Sequence, residues 1–436
     1  MPEAPSGAPG SSSGPAPRKV ESVRGTQDLL PGDSARWREA EGRVRRILAA
    51  YAFQEIRTPL FEHAELFRRP LGLGSDVVAK EMYEFTDRGD RRLALRPEGT
   101  APAARAFIEH GLYAKGSRHK LWYEGPIFRY DRPQAGRYRQ HHQFGVEVFG
   151  SADPAQDAEV IALGRAVLDV LEIQAGEYRI LLNSNGDPAC RPAYEAALRA
   201  WLQERAAALC GDCRGHRLEH NVLRVLDCKV PPCREATKEA PRITDHLCAD
   251  CRAHHEALVT YLDAMRIETV ADPRLVRGFD YYTRTAFEFV ASSGGEAGTL
   301  LGGGRYDGLV ELLGGPATPA VGWGMGIERV LARSPLQGPE DGPRVFVVSL
   351  APGSMARCMK IADALRALGV RCEIGAGGSS ANSQMRAADK SGADWALLVS
   401  GATGPAELKR LREKSPPIVV ADPDDVGGLA ERVTQV

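Results

Sequence analysis

The chemistry of this chain is concentrated in the segment 123–150, where polar residues lie at strand spacing. In the stretch QFGVEVF, residues 143–149, polar or small residues alternate with Phe and Val. Such alternation predicts a β-strand with one polar face, which carries Gln143 and Glu147 and, from a preceding strand run at 126–128, Arg129. The loop between the two strands adds Arg132, Arg137 and Arg139. A polar sheet face with several arginines suits a polyanion such as a nucleotide triphosphate, because guanidinium groups bind phosphate oxygens in bidentate fashion. The alternative is an exposed hairpin whose charged tip is simply solvated.

Cysteines form the second group of residue types that could do chemistry. Six of the nine cysteines lie between positions 210 and 251. Two CxxC pairs in a reducing compartment favour a tetrahedral thiolate zinc site over disulfides. The predicted zinc ligands are Cys210, Cys213, Cys248 and Cys251, with Cys228 and Cys233 as alternatives. The other interpretation is six small buried or surface thiols, and neither makes this region catalytic, because four thiolates close the coordination sphere.

Composition limits the classes of function. A chain of 436 residues is too long for one core, so two or three domains are expected. The net charge of −1 means that a nucleic-acid partner must be held by local patches. No run of 18 apolar residues occurs, so no membrane span is expected. Residues 1–17 are rich in Gly, Ser, Pro and Ala without a signal-peptide pattern, which predicts a disordered tail and a cytoplasmic protein.

The elements that position these residues follow from periodicity and turn residues. An apolar stripe predicts a helix over 33–52 with an Asp or Ser N-cap, and Asp153-Pro154 begins another helix. Alternating runs separated by turn residues predict a hairpin at 82–96. Residues 188–264 are predicted to form a helical, Cys-rich insertion. Together these elements predict an α+β core over 18–333 with an antiparallel, hairpin-built sheet, whose further strands lie at 54–58, 178–183, 285–291, 299–301 and near 322–326.

The C-terminal part differs in composition. Residues 334–343 are rich in Pro and Gly and predict a linker. Strands and helices then alternate over 344–436, which predicts a small α/β domain with a mostly parallel sheet. The glycine-rich stretches GGGRYDG and GWGMG lack the lysine of a phosphate-binding Walker loop, so on their own they indicate only turns.

The combined motifs resemble those of the class II aminoacyl-tRNA synthetases and, within them, the histidyl-tRNA synthetases. The helix and strand at 33–59 resemble the first class II motif, which forms a homodimer interface. The hairpin with Arg129 resembles the second motif, and GWGMGIERVL, which contains Arg329, resembles the third. The resemblance runs from about Arg18 to the C-terminus, and its histidine-specific stretches are RPEGT at 96–100, LVRGFDYY at 275–282 and LGGGRYDGL at 301–309.

This resemblance implies a histidine–tRNA ligase. Such an enzyme activates L-histidine with ATP to histidyl-adenylate and pyrophosphate, then transfers histidine to the 3′ end of tRNA(His). By resemblance three arginines are catalytic: Arg129 contacts the α-phosphate, Arg329 contacts the γ-phosphate, and Arg277 approaches the α-phosphate near the histidine carboxylate. Mg²⁺ is expected on the β- and γ-phosphates. For Arg277 the alternative is a salt bridge to Asp280.

The resemblance also assigns residues to the two substrates. Glu147 and Tyr282, with Tyr281 adjacent, would recognise the imidazole, and the histidine α-amino and carboxylate groups would be held by Glu98, Gly99, Thr100 and Gln143. The alternatives are a strand carboxylate facing water for Glu147 and core packing for the tyrosines. The ATP-binding set is Arg129, Asp131, Arg137, His141 and Arg329. The family usually has Glu in place of Asp131 and an adenine-stacking Phe in place of His141.

Further partners follow from the same resemblance. The terminal domain would bind the anticodon, and cationic residues predicted to contact RNA are the stretch Lys115–Lys120, Lys409, Arg410, Arg412 and Lys414, unless they are merely solvated. A non-catalytic relative, resembling the regulatory subunit of ATP phosphoribosyltransferase, is the alternative function. Such a relative lacks the terminal domain and loses active-site residues, whereas both are present here. A sensor of uncharged tRNA is a second alternative, although no kinase-like segment supports it.

Overall fold

The structure is a computed structural model that describes residues 19–71, 77–131, 138–276, 281–292, 298–339 and 344–434. The chain divides into two compact units, Met1–Gly338 and Pro339–Val436. The predicted tail at 1–17 and positions 340–343 of the predicted linker lie outside the described residues. Within the described ranges, no helix combines the length and the apolar character that crossing a bilayer requires.

The first unit is built from eleven strands in the part that the structure describes. In chain order they are β1 (Gln54–Glu55), β2 (Phe61–His63), β3 (Glu84–Thr86), β4 (Arg92–Leu95), β5 (His119–Phe128), β6 (Gln140–Phe149), β7 (Tyr178–Ser184), β8 (Val270–Ala271), β9 (Thr283–Ala291), β10 (Thr299–Arg305) and β11 (Ala320–Gly326). Eight of them form one sheet in the order β1-β5-β6-β11-β10-β9-β7-β8. Only the edge pairs β1–β5 and β7–β8 are parallel, so the predicted antiparallel sheet is observed.

Helices cover the sheet and fill the insertion. They are α1 (Pro31–Ala50), α2 (Glu65–Leu71), α3 (Thr100–Glu109), α4 (Pro154–Val170), α5 (Arg191–Glu204), α6 (Leu218–His220), α7 (Pro231–Ala236), α8 (Ala249–Ala264), α9 (Leu309–Leu312) and α10 (Ile327–Leu331). The insertion contains α5 to α8 and short 3-10 and π turns, and it has a hydrophobic cluster of its own. The small sheet β2-β4-β3 stands apart from the large one.

The alternation in β6 separates core from site. Phe144, Val146 and Val148 are buried in the main core, which also takes residues from α1 and α4. Gln143 and Glu147 lie on the opposite face, as the sequence pattern predicts. The sheet thus has one apolar face packed against helices and one face that carries polar groups.

The N-cap predicted for α4 is observed, whereas the N-cap predicted for α1 is not. Asp153 caps α4, because its Oδ1 accepts a hydrogen bond from the Ala155 amide at 2.8 Å. For α1, the predicted Asp or Ser cap is wrong. The helix begins at Pro31 with Leu30 in the N-cap position and no side-chain cap, and Asp33 lies in its first turn. Proline fits this first position because it has no amide proton to leave unpaired.

The second unit contains β12 (Val345–Ser349), α11 (Met355–Ala367), β13 (Cys372–Ile374), α12 (Ala381–Lys390), β14 (Trp395–Val399), β15 (Ala406–Arg410), β16 (Ile418–Val420) and α13 (Val426–Thr434). Its sheet has the order β13-β12-β14-β15-β16. The pairs that β12 forms with β13 and β14 are parallel, whereas β14–β15 and β15–β16 are antiparallel. The expected α/β unit is present, but its sheet is mixed rather than mostly parallel.

Candidate active site

A cavity of about 950 Å³ opens on the polar face of the large sheet. It brings together ten of the residues that the sequence predicted for the site: Glu98, Thr100, Arg129, Asp131, His141, Gln143, Glu147, Tyr281, Tyr282 and Arg329. The predicted residues Arg137 and Arg277 lie outside the described residues, as does Asp280. Strand β6, helix α10, the start of α3 and the segments that follow β5 and precede β9 therefore contribute to one cavity from distant parts of the sequence.

Glu147 is the most deeply buried acid of the cavity, with 1% of its surface exposed. Its carboxyl group accepts a hydrogen bond from the Tyr123 hydroxyl at 3.1 Å and another from the Tyr306 hydroxyl. Burial raises the pKa of Glu147 to about 8, although these phenols favour its charged form. At neutral pH the group is therefore largely protonated and can both donate and accept hydrogen bonds.

Glycines in β11 make room for the polar side chains of β6. A Cβ atom added to Gly322 would lie 2.1 Å from Glu147 Oε2, and one added to Gly324 would lie 2.1 Å from Gln143 Nε2. Real Cβ atoms do not approach so closely, so a larger residue at either position would displace the polar side chain that faces it. The strand that the sequence predicted near 322–326 is thus a central, glycine-rich strand that accommodates the site.

Gln143 has an unsatisfied atom. Its Oε1 is buried and finds no hydrogen-bond partner among the described residues. A buried polar atom without a partner costs about 1–3 kcal/mol, so native structures usually supply one. Because Gln143 lines the cavity, a bound donor such as an ammonium or ring N–H group would satisfy this oxygen.

Glu98 acts at the start of α3. Its two carboxylate oxygens accept hydrogen bonds from the backbone amides of Thr100, at 2.7 Å, and Ala101, at 2.8 Å. Burial raises the pKa of Glu98, and these two amides oppose that shift. Gly99 lies beneath the Tyr123 ring, because an added Cβ would be 2.1 Å from the ring. These contacts fix the loop that carries Thr100 into the cavity.

The opposite part of the cavity is cationic. Arg129 Nε donates a hydrogen bond to the Pro97 carbonyl at 2.7 Å, and Arg329 Nη1 donates to the Thr299 carbonyl at 3.4 Å. Burial, followed by the charges of Arg129 and Arg329, lowers the pKa of His141 to about 3. His141 is therefore neutral at physiological pH and offers an uncharged ring beside two guanidinium groups.

Tyr281 and Tyr282 both line the cavity and pack in a hydrophobic cluster, so the two interpretations from sequence, substrate recognition and core packing, are compatible. Their rings lie 4.8 Å apart, and the Tyr281 ring meets the Tyr306 ring edge-on at 5.7 Å. They are 6% and 8% exposed and belong to a hydrophobic cluster, yet both line the cavity. They form an aromatic wall with a polar edge, which suits a planar heterocycle.

Sequence reasoning missed three residues of the site. Tyr123 and Tyr306 bind Glu147, and Glu328 binds His142 through the backbone amide at 2.8 Å and through Nδ1 at 3.0 Å. Tyr306 and Glu328 belong to stretches that the resemblance had already singled out, and Tyr123 opens the hairpin segment. Nothing in their local spacing indicates these partners, because each contact joins elements that are separate in the sequence.

The structure groups the cysteines differently from the predicted zinc set. Cys210 and Cys213 lie with Cys228 and Cys233, whereas Cys248 and Cys251 lie with Asp187 and Cys190. The four predicted ligands therefore do not form one site, and the two CxxC pairs belong to separate clusters. The predicted alternatives Cys228 and Cys233 join the first cluster, and the isolated Cys190 joins the second.

The insertion contributes a basic wall to the same cavity. Arg217, Arg224, Lys229 and Arg234 line it, beside Cys228. Lys229 and Arg234 are exposed to solvent. The cavity thus combines a buried polar floor, two arginines of the sheet and a solvent-facing cationic wall.

Comparison with known proteins identifies the family of this chain. A protein-family model described as histidyl-tRNA synthetase matches residues 25–330. The chain belongs to the histidyl-tRNA synthetase family. The expected resemblance and fold class are thereby confirmed, and the cavity lies within the matched range.

Individual histidyl-tRNA synthetases are similar over most of the chain. A histidine–tRNA ligase from Caldanaerobacter subterraneus subsp. tengcongensis is 48% identical over 399 residues, which cover 91% of this chain and 94% of that protein. The crystal structure of apo histidyl-tRNA synthetase from S. aureus matches with a TM-score of 0.79 and 33% identity, covering 95% of this chain and 100% of the other.

A third match is relevant to the non-catalytic alternative. A structure from Bacillus halodurans C, described as an ATP phosphoribosyltransferase regulatory subunit/histidyl-tRNA synthetase, has a TM-score of 0.64 and 20% identity. It covers 89% of this chain and 100% of the other. At that identity it shows a shared fold alone. The ligase relatives, being much closer in sequence, favour the histidyl-tRNA synthetase function over the regulatory one.

Proposed function

We propose that this chain is a histidine–tRNA ligase. In the first step, a carboxylate oxygen of L-histidine attacks the α-phosphorus of ATP, and pyrophosphate leaves. In the second step, a ribose hydroxyl at the 3′ end of tRNA(His) attacks the carbonyl carbon of histidyl-adenylate, and AMP leaves. The close similarity to histidine–tRNA ligases supports this activity.

The observation that supports this function most directly is that a buried carboxyl group and a buried amide line the same cavity as two arginines. Glu147 and Gln143 supply the floor, and Arg129 and Arg329 supply the charge. The carboxyl and amide groups can bind an amino acid with a polar ring, and the two arginines can bind a nucleoside triphosphate. A single cavity that holds both substrates can place their reacting groups together, which lowers the entropic part of the barrier.

The first step brings two anions together and builds negative charge on phosphate oxygens. Fixed cationic donors stabilise this charge more effectively than an acid or base would. Arg129 is proposed to bind the α-phosphate and Arg329 the γ-phosphate. Arg277, which lies outside the described residues, is proposed to bind near the histidine carboxylate. Asp131, Arg137 and the neutral ring of His141 complete the proposed ATP site.

Recognition of imidazole is proposed to rest on Glu147 and Tyr282. An imidazole carries one N–H donor and one nitrogen acceptor, and a carboxyl group that both donates and accepts can pair with either. Gln143 Oε1, unpaired within the described part of the chain, is proposed to accept from the substrate ammonium. An analogue that leaves such buried polar groups without a hydrogen-bond partner is rejected by a large factor in kcat/KM.

Magnesium is expected with ATP, bound mainly through the β- and γ-phosphates, and two glutamates line the same cavity. Glu288 and Glu81 line the cavity, and the Glu288 carboxylate accepts a hydrogen bond from the Thr299 hydroxyl at 3.2 Å. Magnesium prefers one or two carboxylates together with phosphate oxygens. These two glutamates would hold the ion, which supplies neutralising charge to the β- and γ-phosphates.

The tRNA is proposed to approach along the basic wall of the insertion. Lys229 and Arg234 are exposed there, so they can contact phosphate groups near the cavity. The C-terminal unit, residues 344–436, is proposed to bind the anticodon, as its resemblance implies. Among the cations predicted to bind RNA, Lys120 is a weak candidate, because its Nζ pairs with Glu159 at 2.5 Å.

A homodimer and a cytoplasmic location remain predictions. Helix α1 and the following strand resemble the first class II motif, the interface motif of this class. Leu60 and Phe61, which follow that strand, are 42% and 54% exposed. Large exposed side chains next to a predicted interface motif agree with a partner subunit covering them.

The decisive experiment is histidine-dependent exchange of pyrophosphate into ATP by the purified full-length chain, followed by charging of tRNA(His). Exchange that requires histidine supports the ligase function and excludes both the regulatory and the sensor alternatives. A folded protein without exchange overturns the proposal. The Arg329→Ala variant serves as the inactive control, because it removes a proposed phosphate ligand from the cavity.

A further inference from the structure

Two clusters of metal-binding side chains lie in the insertion. The first contains the sulfur atoms of four cysteines, and the second contains three cysteine sulfurs and the Asp187 carboxylate. In each cluster the four ligand atoms lie within 4.8 Å of one another. We propose that each cluster binds one zinc ion, so that the insertion holds two structural metal sites: site 1 at Cys210, Cys213, Cys228 and Cys233, and site 2 at Asp187, Cys190, Cys248 and Cys251.

The distances between ligand atoms agree with tetrahedral coordination. Zinc bonded to sulfur at about 2.3 Å in a tetrahedron separates neighbouring ligand atoms by about 3.8 Å. In site 1, the Cys210 and Cys228 sulfurs are 4.0 Å apart. In site 2, the Cys248 sulfur is 3.8 Å from Asp187 Oδ1. A disulfide would need sulfurs about 2 Å apart, so the first distance excludes a disulfide between that pair.

Helix geometry prepares site 2 for negatively charged ligands. Cys190 is the N-cap residue of α5, and Cys248 is the N-cap residue of α8. These helices have 14 and 16 residues, and the partial positive charge at their first turns favours negatively charged ligands. Arg284 Nη2, at 3.6 Å from Asp187 Oδ2, adds a further positive charge.

Site 1 lies where the chain has little regular structure to hold it. Between positions 205 and 248, which the structure describes throughout, the longest helix is α7 with 6 residues. Yet Cys213 and Cys233 are fully buried, with 0% exposure. Small folds with short elements usually need a metal or disulfides, because their apolar core is insufficient. Four converging thiols supply such a cross-link.

The two sites would stabilise different parts of the molecule. Site 2 joins the point where the chain leaves β7 to the start of α8, and so ties the two ends of the insertion together. A cross-link that closes a long segment removes much conformational freedom from the unfolded chain. Site 1 includes Cys228, which lines the active-site cavity beside Lys229, so it fixes the basic wall. Both sites would stabilise the insertion whatever reaction the cavity catalyses.

Metal content of the full-length chain, purified under reducing conditions without a chelator or a metal-affinity column, tests the proposal. We expect about two zinc ions per chain. The double variant Cys213→Ser/Cys233→Ser and the double variant Cys190→Ser/Cys251→Ser should each retain about one. Cys372→Ser, in the second unit and outside both clusters, is the matched control and should keep both ions. One zinc or none in the wild-type chain would overturn the two-site proposal.

A second measurement avoids dependence on how well the variants fold. Wild-type protein is stripped with a chelator under reducing conditions and titrated with Co²⁺ alone. Two equivalents should bind with the sulfur-to-cobalt charge-transfer absorption of thiolate ligands. Asp187→Asn should weaken one equivalent only. Reduced protein that binds no cobalt, or binds it without this absorption, would show that the cysteines are buried thiols and would overturn the proposal.

Discussion

The carboxylate of Asp157 on α4 pairs with the guanidinium of Arg305 on β10, and both side chains are completely buried. Asp157 Oδ2 also accepts hydrogen bonds from Thr285 Oγ1, at 2.5 Å, and pairs with His254 Nε2 at 2.8 Å. The remaining guanidinium nitrogen donates to the Ser151 carbonyl at 2.8 Å. One charged network therefore joins α4, α8, β9 and β10 beneath the site.

The substitution Asp157→Asn should therefore destabilise the first unit strongly. It removes the buried carboxylate of the network and leaves Arg305 only its pair with the partly exposed Asp307, at 3.0 Å, which costs about 3–5 kcal/mol. Urea unfolding followed by circular dichroism measures the loss. Asp169→Asn, an exposed position on the same helix, is the matched control and should change the free energy of unfolding by less than about 0.5 kcal/mol. Equal effects of the two substitutions would contradict the role of the network.

Low pH should remove the contribution of this network to the free energy of unfolding. Burial tends to raise the pKa of Asp157, but His254 and Arg305 outweigh it and lower the pKa below its ordinary value of 3.8. Its contribution to stability is therefore complete above pH 3.8 and is lost as the pH falls through the lowered value. Wild type and Asp157→Asn should converge in stability only in that acidic range.

Glu147→Gln should become relatively more stable as the pH rises. In the folded chain the pKa of Glu147 is about 8, against an ordinary value of 4.5. Between these values the folded state holds a proton that the unfolded state has lost, so the wild-type free energy of unfolding falls with rising pH. The slope is on the order of 1 kcal/mol per pH unit. Glutamine does not titrate and escapes this loss.

Urea unfolding of both proteins at pH 5 and pH 8 measures the effect. Glu311→Gln, an exposed glutamate on α9, is the control and should show no such trend. If Glu147→Gln and wild type keep the same difference at both pH values, the carboxyl group is not held protonated. The same substitution should raise the KM for histidine, because both oxygens of Glu147 accept a hydrogen bond from a tyrosine hydroxyl and an amide NH2 group cannot accept one.

Gly324→Ala should damage histidine binding without unfolding the protein. The added Cβ would lie 2.1 Å from Gln143 Nε2, and its nearest neighbours are all atoms of that flexible side chain. Gln143 would therefore move, while the strand remains. We expect the KM for histidine in pyrophosphate exchange to rise about tenfold or more, as a misplaced polar partner costs 1–3 kcal/mol. An unchanged KM would contradict the assigned place of Gln143.

The control for that experiment is Gly176→Ala. No atom lies within 4 Å of the Cβ that this substitution adds, and the residue is exposed and does not line the cavity. It should leave both the KM for histidine and the thermal midpoint of unfolding unchanged. Gly322→Ala is less suitable, because its Cβ would also lie 2.2 Å from the Val146 carbonyl oxygen, which is backbone.

His141→Phe should strengthen ATP binding modestly. The larger aromatic face stacks better on adenine, by about 0.5–1.5 kcal/mol, which lowers the KM for ATP about twofold to tenfold. The pKa of His141 is about 3, so its charge does not change between pH 5.5 and 8. The ratio of KM values for wild type and variant should therefore be constant over that range. A ratio that varies around pH 6.5 would show that the ring is protonated in the site.

Lys229→Glu should separate the two half-reactions. The residue lies on the insertion wall of the cavity, so reversing its charge should raise the KM for tRNA about threefold to tenfold and reduce the salt dependence of binding. Pyrophosphate exchange should be unaffected. Lys238→Glu, an exposed lysine of the same insertion outside the cavity, is the control. Equal effects at both positions would mean that the wall acts only through general charge.

The sequence predicted the site where local patterns carry the information. Alternation in β6 placed Gln143 and Glu147 on one face, because successive strand residues point to opposite sides. It did not reveal that Tyr123 and Tyr306 bind Glu147, since these contacts depend on the register of β5 and β10 against their neighbours. The pKa of Glu147 likewise follows from burial by elements that are distant in sequence.

Two other errors have physical causes. Residues of β15, AELKR, have high helix propensity, so the strand was not predicted, and pairing with β14 outweighs that propensity. The cysteine partners were misassigned because spacing indicates which cysteines are near neighbours in a turn, but not which turns meet. Asp187 could not be recognised as a member of the second cluster from its position in the sequence.

The glycines of β11 have a consequence for the order in which the molecule is made. Three of the seven residues in this strand are glycine, so the isolated segment has little tendency to be extended. Its extended form is held by pairing with β6 on one side and β10 on the other. A nascent chain therefore completes its catalytic floor late, after residue 326 has left the ribosome. Because a ligand stabilises only the assembled state, substrate abundance in the cell would favour completion of newly made chains.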